Sequence, residues 1–222
     1  MSVRLVSLPA ADAHIWLDPA VYTYVTAMNY PRGTEHTRAA LWRDHIRRPG
    51  WSAVAAISSA SAMDVLRPAY SRLHVHAPWA PGDRDVLVGV AYGYTGRPDQ
   101  WWNRQLRNGL RQAGRTPAQI AAVADDYFEL TELHVHPMAQ GRGIGEALLT
   151  RLLAGRPESA VLLSTPEVPG EENRAWSLYR RLGFVDVLRD YGFAGDPRPF
   201  AFLGRRLPLS ASPVPRQSPL TR

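Results

Sequence analysis

The sequence has 222 residues, of which 45% are hydrophobic and 21% are charged, as in an ordinary globular chain with an apolar core. The formal net charge is +6, and every basic residue is an arginine because the sequence contains no lysine. The absence of cysteine excludes disulfides, thiolate nucleophiles and cysteine-based zinc sites. The absence of lysine excludes Walker A phosphate loops and Schiff-base chemistry.

The distribution of charge and hydropathy limits the partners of the chain. The arginines are scattered and form no basic stripe with interleaved aromatic residues, so we expect no nucleic acid as a partner. No stretch approaches about 18 consecutive apolar residues, so we expect no membrane segment. The N-terminus lacks the apolar run of a signal peptide, which predicts a cytoplasmic location.

The N-terminal half predicts strands and two helices. The first helix is predicted to begin at Pro19 with Asp18 as its N-cap, and the second to begin at Thr34, which would cap it. Residues 58–84 predict a long loop with at most a short strand near Leu73. The predicted strands of this half are Val3–Leu8, Trp51–Ile57 and Val86–Tyr94.

The C-terminal half centres on the stretch Tyr127–Leu153, which predicts a strand, a turn with three glycines and a helix. Two helices are predicted within residues 97–126, and another spans Asn173–Leu182. Further strands are predicted at Ala160–Ser164, Phe184–Arg189 and Phe200–Arg206. We expect one domain over residues 1–207, with insertions at about 58–84 and 97–126, and a disordered Pro/Ser-rich tail over 208–222.

The glycine turn between the strand and the helix indicates an anion site. Gly141, Gly143 and Gly145 let the backbone approach a ligand closely, and the N–H groups of the first helical turn point at the same place. An anion there is also stabilised by the helix dipole. The spacing differs from the dinucleotide-binding fingerprint. The alternative is a tight strand-to-helix turn with no ligand.

Two signatures resemble those of the GCN5-related N-acetyltransferase family. Gln140-x-x-Gly143-x-Gly145, after the strand residues 133–135, resembles the acyl-CoA motif of that family. The helix that begins near Asn173 and runs through Leu-Tyr179 to Gly-Phe resembles the second signature of the family. The resemblance covers residues 128 to about 187. It implies an α/β (α+β) fold, with a mixed, mostly antiparallel twisted sheet of about seven strands, flanked by helices and splayed between strands 4 and 5.

The resemblance also implies acetyl-CoA as co-substrate, bound in the splay, with no metal. The pantetheine arm would pair with the strand backbone, the pyrophosphate would sit on the amides of the glycine turn, and the N–H of Val135 would be the oxyanion donor. Ile144 would face the core. The residues implied in cofactor binding are Leu133, His134, Val135, Gln140, Gly141, Arg142, Gly143, Ile144, Gly145 and Asn173. For Asn173, an N-cap role is the alternative.

Three residues are candidates for proton transfer. Glu129 is the favoured general base and Glu132 the second choice; three residues apart, they should face opposite sides of the strand unless a bulge intervenes. Both could instead pair with neighbouring arginines, and His134 or His136 is an alternative base. Tyr179 matches the tyrosine that the family uses as general acid. The alternative for Tyr179 is a packed aromatic side chain.

The histidines and tryptophans leave two further alternatives open. The His-x-His pairs at His74/His76 and His134/His136 could form a metal site if their strands were neighbours. Trp79, Trp101 and Trp102, with Asp125 and Asp126 nearby, could form an aromatic pocket for a cationic amine. Equally, these tryptophans could fix the inserted segment to the core.

The sequence therefore predicts an acetyl-CoA-dependent N-acetyltransferase that transfers an acetyl group directly to a primary amine of a small molecule or peptide. Direct transfer is expected because the chain has no cysteine that could carry an acyl group. The alternative function is a catalytically silent acyl-CoA-binding sensor or interaction module. A homodimer is left open.

Overall fold

The computed structural model of the chain describes residues 3–59 and 85–209. The predicted strand near Leu73, the first His-x-His pair, Trp79 and nearly all of the predicted tail lie outside the described residues. Within the described ranges, no helix is long and apolar enough to cross a membrane.

The described strands form one seven-stranded sheet in the order β1-β2-β3-β4-β5-β7-β6. Its neighbouring strands are antiparallel except for β4 and β5, which are parallel. This mixed, mostly antiparallel sheet confirms the predicted fold class. The strands are β1 (Val3–Ser7), β2 (Ser52–Ser59), β3 (Asp85–Thr95), β4 (Phe128–Val135), β5 (Ala160–Pro166), β6 (Val185–Gly192) and β7 (Pro199–Arg206).

The helices of the described residues flank this sheet. They are α1 (Ala13–Ala27), α2 (Thr34–Ile46), α3 (Trp101–Gln112), α4 (Pro117–Ala124), α5 (Ile144–Leu153) and α6 (Arg174–Arg181). The helices α3 and α4 are the two predicted within residues 97–126, and Thr116 starts α4 with a capping box.

One predicted helix start and two predicted N-caps were wrong, whereas the second helix begins at Thr34 as predicted. The first helix begins at Ala13, so Pro19 lies inside it and Asp18 does not cap it. Apolar burial along this helix outweighs the backbone hydrogen bond that the proline removes. The second helix has Gly33, with φ 98°, as its N-cap, and the Thr34 hydroxyl bonds Pro31 instead. Gly33 adopts this left-handed conformation without steric cost.

The sheet carries a core on each face because successive strand side chains point to opposite sides. On one face, Ala91 and Phe128 pack with α5 and α6. On the other face, Tyr92 and Val90 pack with α1 and α2 around Trp42. A third cluster joins α3 and α4 to β5, β6 and β7. The sheet thereby holds β4 between two packed layers.

Two features of β4 open the centre of the sheet. Its parallel pairing with β5 covers only Phe128 and Glu129, although both strands continue further. Just beyond this point, the register with β3 shifts between Tyr92 and Gly93, so Thr131 is the extra residue of a bulge in β4. A bulge bends a strand and strengthens its local twist. The predicted splay between strands 4 and 5 is confirmed.

Candidate active site

The gap between β4 and β5 leads into a cleft of about 410 Å³ on the α5 and α6 side of the sheet. Its wall combines the end of β4, the glycine turn, the start of α5 and one face of α6. Of the residues implied in cofactor binding, seven line this cleft. They are Leu133, Val135, Gln140, Gly141, Gly143, Ile144 and Gly145.

The glycine turn is built as an open cradle. Gly141 and Gly143 have φ values of 76° and 74°, a conformation that other residues adopt only with strain. A Cβ at either position would meet nothing within 4 Å, so the space in front of the backbone is free. The helix α5 begins directly after Gly143, and its first N–H groups have no carbonyl partner within the helix. This geometry suits a bound anion.

The end of β4 directs backbone groups into the splay. The N–H of His136 donates to the carbonyl of Val88 on β3, at 2.8 Å. Because backbone groups alternate along a strand, the N–H of Val135 points the other way, into the gap. Gln140 steadies this end, since its Nε2 donates to the Val135 carbonyl at 2.9 Å and its Oε1 accepts from Arg174 at 2.6 Å.

The other three residues implied in cofactor binding do not line this cleft. His134 lies on the opposite face of β4, and Arg142 belongs to the exposed part of the turn. Asn173 is the N-cap of α6, where its Oδ1 accepts from the N–H of Trp176 at 2.9 Å. A contact between any of them and a cofactor stays a prediction.

A second cavity, also about 410 Å³, opens on the other side of the splay, and we name it the acceptor cavity. It shares Leu133, Val135, Gln140, Ala175 and Tyr179 with the first cleft. The two spaces therefore meet at the end of β4 and the middle of α6. The rest of its wall comes from β4, β5, β7, α1, α2 and the segments that follow α1 and precede β7.

Tyr179 lies where the two spaces meet. Its side chain is 7% exposed and packs against Phe184, with ring centroids 5.5 Å apart. Burial raises the pKa of the Tyr179 phenol, and the negative charge of Glu132 raises it further. The hydroxyl is therefore protonated at neutral pH.

Glu132 lies in the wall of the acceptor cavity and is paired with a histidine. Its Oε2 is 2.5 Å from Nε2 of His134, which lines the same cavity. The His134 ring also meets the ring of Tyr24 edge-on, with centroids 4.7 Å apart. The carboxylate and the imidazole together can hold or pass on a proton.

Glu129 lines neither cavity and lies buried beneath Tyr94. Its Oε1 accepts from the Tyr94 hydroxyl at 2.6 Å, and that hydroxyl accepts in turn from Arg48. Its Oε2 has no hydrogen-bond partner within the described residues. Burial, opposed by the Tyr94 hydrogen bond and the Arg48 charge, raises the pKa of Glu129 to about 7.

The bulge that was the stated exception is present, so the two glutamates do not face opposite sides of the strand. The bulge at Thr131 pairs Glu129 with Tyr94 and Glu132 with Tyr92, so both carboxylates lie on the same face of the sheet. The extra residue cancels the ordinary alternation between them. The preference for Glu129 over Glu132 rested on that alternation. The cavity wall favours Glu132 instead.

Three further candidates that the structure describes, His136, Trp101 and Trp102, lie outside the walls of both cavities. His136 is buried, its Nδ1 accepts from the N–H of Met138, and burial lowers its pKa. Trp102 is buried and donates to Ser164 Oγ at 3.0 Å, so it fixes α3 to the sheet. Trp101 is 51% exposed and contacts Phe193. In the described ranges, no three potential metal ligands cluster together.

The comparisons with known proteins agree with this architecture. A family model described as an acetyltransferase (GNAT) domain matches residues 111–186. The chain is 54% identical over 209 residues to a GCN5-like protein acetyltransferase of Mycobacterium tuberculosis, covering 94% of this chain and 100% of that one. The chain belongs to the GCN5-related N-acetyltransferase family. It is therefore an acyltransferase by family, as the two signatures predicted.

The chain is also similar to a second curated protein and, in fold, to a solved structure. A mycothiol acetyltransferase of Kineococcus radiotolerans is 29% identical over 177 residues, which cover 68% of this chain and 57% of that protein. The structure of Arabidopsis thaliana NAA60 in complex with acetyl-CoA has the same fold, with a TM-score of 0.55 at 15% identity, covering 93% of this chain and 99% of that one.

The sequence analysis missed most of the acceptor cavity. Six wall residues had no local signal because they come from three distant segments that only the fold brings together. They are Tyr24, Tyr30, Arg38, Asp196, Arg198 and Phe200. Trp101 and Trp102, the two of the proposed tryptophans that the structure describes, lie outside the wall.

Proposed function

We propose that this chain transfers an acetyl group from acetyl-CoA directly to a primary amine of a polypeptide. The observation that carries the proposal is the meeting of two cavities, one over the glycine turn and one over Glu132, at Tyr179. Two substrates can enter from opposite sides and react where the spaces join. The polypeptide acceptor is supported by the 54% identical relative, which is a protein acetyltransferase.

The residues of the first cleft fit an acyl-CoA. The glycine turn from Gly141 to Gly145 and the N-terminus of α5 suit a pyrophosphate, because the space in front of Gly141 and Gly143 is open and the first N–H groups of the helix have no carbonyl partner within it. The edge of β4 at Leu133 and Val135 suits the amides of a pantetheine arm, since β5 has separated from it there. Bound in this way, acetyl-CoA supplies the acetyl group as a thioester.

Glu132 is the proposed general base. An alkyl ammonium must lose a proton before it can attack, and a carboxylate in the acceptor cavity wall can take that proton. The 2.5 Å contact with His134 orients the carboxylate and can carry the proton onward. Glu129 lines neither cavity, so we propose a structural role for it in the buried layer that packs against β4.

Two groups at the junction complete the chemistry. The N–H of Val135, directed into the splay, can donate to the oxygen that becomes negative as the amine attacks. The protonated hydroxyl of Tyr179 can donate its proton to the departing sulfur. Because no cysteine is available to carry the acyl group, both substrates must be bound at once.

The test is a thiol-release assay with acetyl-CoA and a panel of peptides and small amines. We expect Tyr179→Phe and Glu132→Gln to lower kcat by about 10² or more, the usual contribution of a positioned acid or base. The affinity for acetyl-CoA, measured by calorimetry, should stay within about threefold, because neither change alters the glycine turn.

Tyr191→Phe is the matched control. Its hydroxyl donates to Gln105 at 2.8 Å, away from both cavities, and its removal should leave kcat unchanged. Unchanged turnover in Tyr179→Phe would exclude the tyrosine as the acid. No thiol release with any amine would instead support the acyl-CoA sensor. Release with small amines and not with peptides would move the acceptor to a small molecule.

A further inference from the structure

Four charged residues besides His134 line the acceptor cavity. Arg38 comes from α2, Glu132 from β4, and Asp196 and Arg198 from the segment that leads into β7. Charges in a partly enclosed wall act on a ligand more strongly than charges in open water. Their pairing therefore decides which acceptor the cavity prefers.

Three of these four charges are already paired within the protein. Arg198 holds Asp196 through two hydrogen bonds, at 2.9 and 2.6 Å, so this pair is close to neutral. Glu132 is paired with His134 and faces the site of the amine. Neither pair leaves a free cation in the wall.

Arg38 is the exception. Its guanidinium lies over the ring of Tyr24, 5.2 Å from the centroid, and no carboxylate among the described residues pairs with it. Glu35, one turn earlier on α2, accepts from the N–H of Gly33 instead, at 2.6 Å. An aromatic face fixes a guanidinium in place without neutralising it or using its N–H donors. Arg38 is thus a positioned cation that keeps its donors for a ligand.

We propose that Arg38 binds a carboxylate next to the amine that is acetylated. The acceptor is then a primary amine, on a lysine side chain or an N-terminus, with an aspartate or glutamate beside it in the polypeptide. Glu132 on β4 faces the cationic amine, and Arg38 on α2 binds the neighbouring anion in a bidentate manner. This inference rests on the proposed function and narrows its acceptor.

The test compares matched peptides in the thiol-release assay. In one arm, three peptides have a blocked N-terminus and a single lysine next to Asp, Asn or Arg. In the other arm, three peptides have no lysine and a free N-terminal residue followed by Asp, Asn or Arg. In whichever arm reacts faster, we expect the wild-type kcat/KM to be about tenfold or more higher for the Asp peptide than for the Asn peptide. This ratio is the size of one charge-assisted contact. Arg38→Gln should abolish this preference, and Arg38→Glu should reverse it towards the Arg peptide.

The preference is a ratio between two peptides measured on one protein sample, so partial misfolding of a variant cancels out. Arg43→Gln, on the exposed side of the same helix and outside the cavity wall, is the matched control and should keep the wild-type ratio. Equal rates for the Asp and Asn peptides in the wild type would overturn the inference and leave the proposed function standing. A preference that survives in Arg38→Gln would also overturn it. No reaction with any peptide would overturn the proposed polypeptide acceptor, and this inference with it.

Discussion

Glu129 and Glu132 show how far the surroundings decide what a residue does. Both are carboxylates on β4, three positions apart and on the same face of the sheet. Glu132 lies in a cavity wall beside His134, where we propose that it acts as the base. Glu129 is 2% exposed and shares one hydrogen bond with Tyr94, so its ionised form is disfavoured. One residue type therefore has two very different surroundings within one strand.

The buried carboxyl predicts a pH dependence of stability. Burial raises the pKa of Glu129 from 4.5 to about 7. Between these values the folded chain binds one proton more than the unfolded chain, so the contribution of Glu129 to stability is lost as the pH rises. Glu129→Gln should remove this loss, which is on the order of 3 kcal/mol.

Denaturant unfolding of the wild type and Glu129→Gln checks this. At roughly pH 5 the two midpoints should be close, and at roughly pH 8 the variant should be the more stable protein. Glu146→Gln, which changes a half-exposed carboxylate that pairs with Arg181, is the control and should show no such divergence. A wild type that gains stability over this range relative to Glu129→Gln would contradict the buried, protonated carboxyl.

At the scale of single elements, α6 depends on how it begins. Asn173 caps its first turn through Trp176, and the helix then places Leu178 and Tyr179 against the cleft. Its other side is held by an ion-pair network in which Glu171 binds both Arg180 and Arg189. The cap and the network fix the angle at which Tyr179 enters the junction.

Replacing the cap tests which role Asn173 has. Asn173→Ala should cost about 1 kcal/mol of stability, because one N–H of the first turn loses its acceptor. Asn173→Ser keeps a capping oxygen and should restore most of that stability. We expect the affinity for acetyl-CoA, measured by calorimetry, to follow the same order. Equal loss of affinity in both variants, with stability restored only in the serine variant, would instead indicate that the asparagine side chain contacts the cofactor.

At the scale of the whole molecule, the splay is a gap in the sheet that a ligand can fill. Beyond Glu129, the edge of β4 that faces β5 is open, while its other edge stays paired with β3. A ligand that pairs with this edge binds the folded chain and not the unfolded one. Ligand binding must therefore raise the stability of the fold.

This coupling gives a measurable shift. Acetyl-CoA at about 100 times its Kd should add about 2.7 kcal/mol, which corresponds to a rise in Tm of roughly 5 to 10 °C for a chain of this size. Amide hydrogen exchange locates the effect. The Val135 N–H should become protected on binding, and the His136 N–H, which is already bonded to Val88, should change little. Protection of the His136 N–H from exchange, without protection of the Val135 N–H, would contradict the proposed binding site of the cofactor.

The order of the elements and the cofactor side of the site follow from local patterns in the sequence. Strand alternation, Thr116 before α4 and the Asn173 start of α6 are local patterns, so they could be interpreted without a fold. The glycine turn is equally local, because a positive φ and an open backbone depend on the residues of the turn alone. The residues that line the first cleft lie either within residues 133–146 or in the helix α6.

The acceptor side of the site depends on contacts between segments that are distant in the sequence. The bulge at Thr131 has no side-chain signature, yet it places Glu129 and Glu132 on one face and so changes which of them we propose as the base. Arg38 and Arg198 are 160 positions apart in the sequence. They line the same cavity only because α2 and the β6–β7 connection lie on either side of one gap. Long-range packing sets these contacts, and no local pattern encodes them.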